Sequence, residues 1–266
     1  MRIVTLIENL VYGQGLFAEH GLSIYIETEH QKILFDTGQS GLFIQNAQKL
    51  GVEIGDIDCL VLSHGHYDHT GGLYPFLKAN SKAKVYAKRE IFAPKYHGHN
   101  RFIGVIQDKE LLKNRFVPVN SVTELAEEVF IMPEIVIRNS ADTHFQGMYK
   151  KVDDKLIPDE FDDELFLVVK QDDQIHIVTA CSHRGITNIC IKATEYFGLP
   201  VGLILGGFHT KNSSADQLDV IMDYFRQLMP KSIGTCHCTG VDKYADLTCE
   251  SNLDVFYNYT GNIVDL

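Results

Sequence analysis

The stretch Val61-Leu62-Ser63-His64-Gly65-His66-Tyr67-Asp68-His69-Thr70-Gly71-Gly72-Leu73 decides the reading of this chain. His64, His66, Asp68 and His69 place four metal-ligand side chains within six residues. Ahead of them, Cys59-Leu60-Val61-Leu62 is a short apolar run that reads as a buried strand. Two glycines and a second apolar segment follow. The pattern is a strand ending in a polar loop, where imidazoles can converge because the scaffold behind them is rigid. His64 and His66 are two residues apart and project to the same side of an extended backbone, so they can grip one cation together. Asp68 and His69 lie past the turn and reach a second position nearby. Neutral imidazole with carboxylate suits zinc, iron or manganese and suits calcium or magnesium poorly. A polar surface loop that happens to hold three histidines is the alternative, and this ligand density behind a buried strand argues against it.

The chain has 266 residues, 45% of them apolar, which is ordinary for a globular protein with a substantial core. The formal charge of −11 argues against a nucleic-acid surface, which is usually basic. A small anionic substrate held by a few local cations remains compatible with it. Six cysteines and an N-terminus that runs straight into an apolar strand, with no apolar leader, suggest reduced thiols in the cytoplasm. No segment has the apolar length to span a membrane. We therefore expect a cytoplasmic protein with a small-molecule substrate and neither a nucleic-acid nor a membrane partner; a homo-oligomer is compatible with this composition.

Strands are expected at 3–7, 22–26, 32–35, 83–87, 135–137, 165–170, 175–179, 201–205, 232–235 and, last, 255–259. Helices are expected at 42–50 and 186–197. A third begins at a capping box of Ser214 and Gln217 and carries the stripe Leu218, Ile221, Met222, Phe225 and Leu228 before Pro230 stops it. The segment 88–120 is irregular and holds Lys95, Arg101, Lys109, Lys113 and Arg115. It reads as a lid insertion over the metal loop, with Arg101 and Arg115 placed to contact an anionic group. His97-Gly98-His99 repeats the His-x-His spacing without a following carboxylate, so it belongs to that loop. The acidic segment 156–164 is expected to be exposed. The expected organisation is one domain over 1–266.

One feature recurs. Three times after the first loop, an apolar strand ends in a glycine- or cysteine-bearing turn with a histidine, at His183, His209 and His237. Loops at strand ends are where such scaffolds place chemistry.

His64-x-His66-x-Asp68-His69 followed by Thr70-Gly71-Gly72 resembles the signature of the metallo-β-lactamase superfamily. The strand ending in Asp36-Thr37-Gly38 looks like the superfamily's early strand. Cys181-Ser182-His183-Arg184-Gly185, Gly206-Gly207-Phe208-His209 and Cys236-His237-Cys238-Thr239-Gly240 resemble one branch, the 7,8-dihydropterin-6-yl-methyl-4-(β-D-ribofuranosyl)aminobenzene 5′-phosphate synthases, also called dihydropteroate-synthase-like. The resemblance implies an α/β fold, a four-layer αββα sandwich, with one or two divalent transition metals: zinc first, iron or manganese as alternatives. It gives Asp36 a role in orienting the metal loop; capping the next helix is the other reading. We assign His64, His66 and His183 to one metal and Asp68, His69 and His237 to a second. The superfamily's bridging Asp is missing at Ala180-Cys181, so Cys181 supplies a thiolate, His183 takes over, or the second metal is weakly held. His144 is a further candidate. Cys236 and Cys238 are expected to pack as small buried residues around His237, since an iron–sulfur cluster needs more suitably placed thiolates.

A metal with open coordination acidifies bound water and polarises a carbonyl or phosphoryl oxygen. Asp68 and His209 are the candidates for moving the proton, and Arg184, with Arg101 and Arg115, for holding an anionic substrate group. The expected function is a metal-dependent hydrolase or a pterin-linked transferase acting on a phosphorylated small molecule. The alternatives are a metal-bound redox or sensing protein without turnover and a nuclease of the same superfamily, which the acidic charge disfavours.

Overall fold

The computed structural model describes residues 1–250 and 253–266. The chain divides into two compact units, one of Met1–Asn120, Gln146–Asp163 and Tyr259–Leu266, the other of Ser121–Phe145 and Glu164–Asn258.

The first unit is built on a seven-stranded sheet in the order Ile263–Asp265, Arg2–Ile7, Ser23–Glu27, Lys32–Phe35, Cys59–Val61, Lys84–Ala87 and Phe116–Pro118. From Lys32–Phe35 onward the neighbours are parallel. Parallel strands covered on both faces need apolar runs, and the fully buried Cys59-Leu60-Val61 is such a run. Helices Leu42–Lys49 and Leu73–Ala79 add Phe43, Ala47, Leu73 and Phe76 to one core with Leu34, Leu60 and Val85. The register pairs Phe35 with Val61. Asp36 and the His64 loop therefore leave the sheet side by side, at the carboxyl ends of parallel strands, where α/β sheets place their ligands.

The second unit repeats this logic. Its sheet runs Asp254–Tyr257, Ser232–Thr235, Val201–Gly206, Gln174–Val178, Phe166–Gln171, Val129–Met132 and Thr123–Ala126. The Gln174–Val178, Val201–Gly206 and Ser232–Thr235 strands are parallel neighbours. Val178 pairs with Leu205, and Gly206 with Thr235. That register brings the three histidine-bearing turns to one edge. Helix Ile186–Phe197 ends at Gly198 in the left-handed region, φ 63°. Helix Ala215–Leu228 starts as expected, with the Ser214 side chain accepting from Gln217 N at 3.2 Å.

Several local expectations are corrected. The strand expected at 135–137 lies instead at Val129–Met132, and Asp254–Tyr257 is followed by a further strand, Ile263–Asp265. The segment 88–120 is not irregular throughout: Lys95–His97 and Arg101–Phe102 pair as a hairpin within a four-stranded sheet, and Phe116–Pro118 joins the large sheet. Gly98, φ 59°, turns that hairpin between the exposed His97 and His99. The acidic segment is only partly exposed. Lys155–Pro158 faces solvent, but Asp159, Phe161, Asp163 and Glu164 are buried, for reasons that concern the candidate site. Among the described residues no helix is long and apolar enough to cross a membrane.

Candidate metal centre

In the first unit His64, His66, Asp68 and His69 are all buried, and the His64 ring centroid lies 4.7 Å from that of His66 and 4.4 Å from that of His69. Asp36 organises them. Its Oδ1 accepts from Ser63 N at 2.8 Å, and its Oδ2 accepts from Ser63 Oγ at 2.6 Å and from His69 Nδ1 at 2.7 Å. A carboxylate only accepts, so the His69 proton sits on Nδ1 and Nε2 carries the lone pair. Ser63 gives its hydroxyl hydrogen to Asp36, so at 2.9 Å its oxygen accepts from His64 Nδ1, which sets the same tautomer there. Burial, then the neighbouring His69 and His66, push the His64 pKa well below its ordinary value. The ring is a neutral, ligand-ready imidazole at pH 7. Asp36 holds φ 60°, and the helix after it is capped at Gly41, which removes the capping reading.

A second carboxylate grips the loop from another side. Asp163 Oδ2 accepts from Gly65 N at 2.7 Å, and its Oδ1 lies 2.9 Å from Lys95 Nζ. Lys95 also meets Asp159 at 2.5 Å, and all three are buried to 1% exposure. The two carboxylates outweigh the burial cost and raise the Lys95 pKa, so the ammonium stays charged. It sits 5.0 Å from the Phe161 ring centre, and that ring packs against His66 at 5.2 Å. Gly65 is required here, since a Cβ would stand 2.2 Å from Ile91 O. Lys95, counted among the lid cations on sequence, is structural.

In the second unit, Glu164 accepts from His183 N at 2.7 Å and Arg184 N at 2.8 Å. His183 Nδ1 donates to His144 O at 3.2 Å, and His144 N to His183 O at 2.8 Å, so Nε2 again carries the lone pair. The His183 and His209 rings are 4.3 Å apart, and His144 and His209 5.3 Å. Cys181, His183 and His209 offer ligand atoms within 4.8 Å of one another, and so do Cys181, His237 and Cys238. Burial raises the Cys238 pKa, but hydrogen bonds with Cys181 and His209 and the nearby His209 and His237 outweigh it and hold the thiol well below its usual value. Ser182, His209 and His237 adopt φ 54°, 55° and 52°. Non-glycine residues in this region carry strain that clusters at functional sites.

The arginines are placed differently from one another. Exposed Arg101 reaches Tyr67 Oη through Nη2 at 3.3 Å. Arg115 spends its guanidinium on the carbonyls of Ala83 and Asn80. Arg184 Nε donates to Ile135 O at 2.8 Å. Sequence reading missed four residues: Glu164, Asp163, Asp142 and His20. Asp142 Oδ2 accepts from Thr187 N at 2.7 Å, and its Oδ1 lies 3.5 Å from His144 Nε2. His20, in Glu19-His20-Gly21, places Nε2 3.2 Å from Asp68 Oδ2, while Asp68 O accepts from Leu22 N. A histidine directly before the Gly21-Leu22-Ser23 strand start was the available signal.

The donor set fits a transition metal. His64, His69 and His183 have their Nδ1 atoms bound to chain acceptors, which leaves Nε2 as the ligand atom and is how metal-ligating histidines are oriented. Comparison with known proteins agrees. The metallo-β-lactamase superfamily model matches residues 17–183. An uncharacterized protein of Methanocaldococcus jannaschii is 34% identical over 99% of this chain and 100% of its own length. The 7,8-dihydropterin-6-methyl-4-(β-D-ribofuranosyl)-aminobenzene-5′-phosphate synthase of the same organism is 30% identical, over 90% of this chain and 88% of that protein. The crystal structure of Tm1679, a metal-dependent hydrolase of the β-lactamase superfamily, superposes with a TM-score of 0.88 at 30% identity, covering 100% of this chain and 99% of the other. The α/β fold is thus of metallo-β-lactamase type, and the chain belongs to the metallo-β-lactamase superfamily.

Proposed function

We propose that this protein is a metal-dependent hydrolase or group-transfer enzyme acting on a phosphorylated, pterin-type small molecule. The observation that carries the metal-dependent part is the tautomer relay from Asp36 through Ser63 and His69, which turns imidazole lone pairs toward a cation. The substrate class rests on the synthase of Methanocaldococcus jannaschii, which is similar to this chain over most of its length. Among its branch features the chain carries Cys181-Ser182-His183, Gly207-Phe208-His209 and His237-Cys238-Thr239.

The residues proposed as metal ligands are those read from the sequence: His64, His66, Asp68 and His69 of the first unit, and His183 and His237 of the second. Zinc is the first choice, with iron or manganese as alternatives. When bound, such ions acidify water and polarise a carbonyl or phosphoryl oxygen. The chain's own residues do the rest. Asp68, braced by His20, accepts a proton, and His209 donates one to a leaving group or hydrogen-bonds a developing oxyanion. Arg101 and Arg184 are the cations offered to an anionic group. No cysteine among the described residues is in a disulfide, which suits a reducing, cytoplasmic setting.

Metal-loaded protein should hydrolyse model phosphodiesters or esters, or transfer the pterin-6-ylmethyl group of a 6-(hydroxymethyl)dihydropterin diphosphate ester to a ribosylated aminobenzene phosphate with release of diphosphate, and a chelator should abolish the activity. Absence of every one of these activities in protein shown to carry metal would sink the enzymatic reading. It would favour a sensing role.

A further inference from the structure

Cys181 and Cys238, in the first and third of the three histidine-bearing turns, have surroundings that packing alone does not account for. Cys59 and Cys190 are buried cysteines of the ordinary kind, lining cores, with thiols that burial pushes up, Cys59 to about 12. Cys181 and Cys238 are arranged otherwise. Each ends or follows one of the parallel strands Gln174–Val178 and Ser232–Thr235, and each flanks a residue in the left-handed region, Ser182 and His237. Their sulfur atoms and a ring nitrogen of His237 lie within 4.8 Å of one another.

The surroundings are shaped around the Cys238 sulfur. The backbone N–H of His209 donates to it at 3.2 Å, and it lies 3.6 Å from Cys181 O. A Cβ on Gly207 would stand 2.6 Å from the same sulfur, so a glycine is needed there to leave it room. An amide aimed at a sulfur is the outer-shell contact that steadies metal-bound thiolates. Each of the three turns thus contributes. The first gives Cys181, the second gives the Gly207 space and the His209 amide, and the third gives His237 and Cys238.

We propose that Cys181, His237 and Cys238 form a two-thiolate, one-imidazole site for a soft or borderline transition metal, zinc or ferrous iron in class. The inference rests on the metal-dependent reading above and sharpens it. Sulfur donors reject magnesium and disfavour manganese, and three protein ligands leave a fourth position open. Binding releases the thiol protons, so affinity rises with pH. Where carboxylate stands in a site built for hard cations, this chain has sulfur.

Cobalt(II) is the probe. It is titrated into full-length, reduced, metal-free protein while the near-ultraviolet sulfur-to-cobalt charge-transfer band is recorded beside the bound-metal stoichiometry. Wild type and a Cys249→Ser control on the exposed surface should both develop the band. Cys181→Ser and Cys238→Ser should each keep a weaker one, and the double variant should have none. As a check independent of refolding variants, zinc added to wild-type protein should protect two thiols from alkylation under native conditions. Cobalt bound at full stoichiometry without the band, and without thiol protection, overturns the thiolate site and leaves the metal-dependent reading standing. No cobalt bound at all overturns both.

Discussion

Asp36 Oδ2 lies 2.7 Å from His69 Nδ1 while the other oxygen of the same carboxylate takes the Ser63 amide at 2.8 Å. One buried residue therefore sets both the backbone of the histidine loop and the orientation of the candidate ligand His69. Its φ of 60° is a conformation that Asn also tolerates. Asp36→Asn should keep the fold but lose the full acceptor set, and metal affinity should fall about 10- to 100-fold, the scale for outer-shell partners. Competition against a chromophoric chelator measures it; unchanged affinity would remove Asp36 from the centre.

Lys95 offers a test of the second grip on the loop. Removing its charge leaves Asp159 and Asp163 buried together, and Lys95→Met should cost about 3–5 kcal/mol. Adding Asp163→Asn should recover part of that, because the amide oxygen still accepts from Gly65 N. Urea denaturation of the two variants decides. A cost under about 1 kcal/mol would mean that water or a rearrangement compensates the pair.

His209 is best probed with Asn, because φ 55° would strain an alanine. His209→Asn keeps the amide that donates to Cys238. Turnover on a model substrate should drop about 10²- to 10³-fold with metal content unchanged. Lost metal would make His209 a ligand, and normal turnover would make it a packing residue.

The depressed His64 pKa has a pH signature in metal-free protein. Folded His64 stays neutral while the unfolded chain takes up a proton below about pH 6.5. A lowered folded pKa therefore contributes stability above that pH and loses it as pH falls. Melting temperature should decline from about pH 8 to about pH 5, less steeply in His64→Asn. Equal slopes would deny the linkage.

The cluster in the first loop was legible because its members are neighbours in sequence: the candidate ligands His64, His66, Asp68 and His69 need only a strand and a turn to come together. The helix stripe at Leu218, Ile221, Met222 and Phe225, capped by Ser214, was legible for the same reason, being local and periodic. The strand at 129–132 was misplaced because its place is set by pairing with Phe166–Gln171, far along the chain.

The acidic run 156–164 marks the boundary between the two kinds of information. Composition called it a solvated face, since isolated charges avoid burial. The fold buries Asp159 and Asp163 because Lys95, 64 and 68 residues away, compensates them and Gly65 N–H takes the remaining oxygen. By itself, then, the sequence singled out the candidate ligands of the first loop and the locally periodic segments such as the Ala215–Leu228 helix. Only the tertiary structure decided which carboxylates orient those ligands, and which cysteine sulfurs meet at the ends of parallel strands. Hydrogen bonds and charge pairs between distant segments depend on register, and register is a property of the folded sheet rather than of any stretch within it.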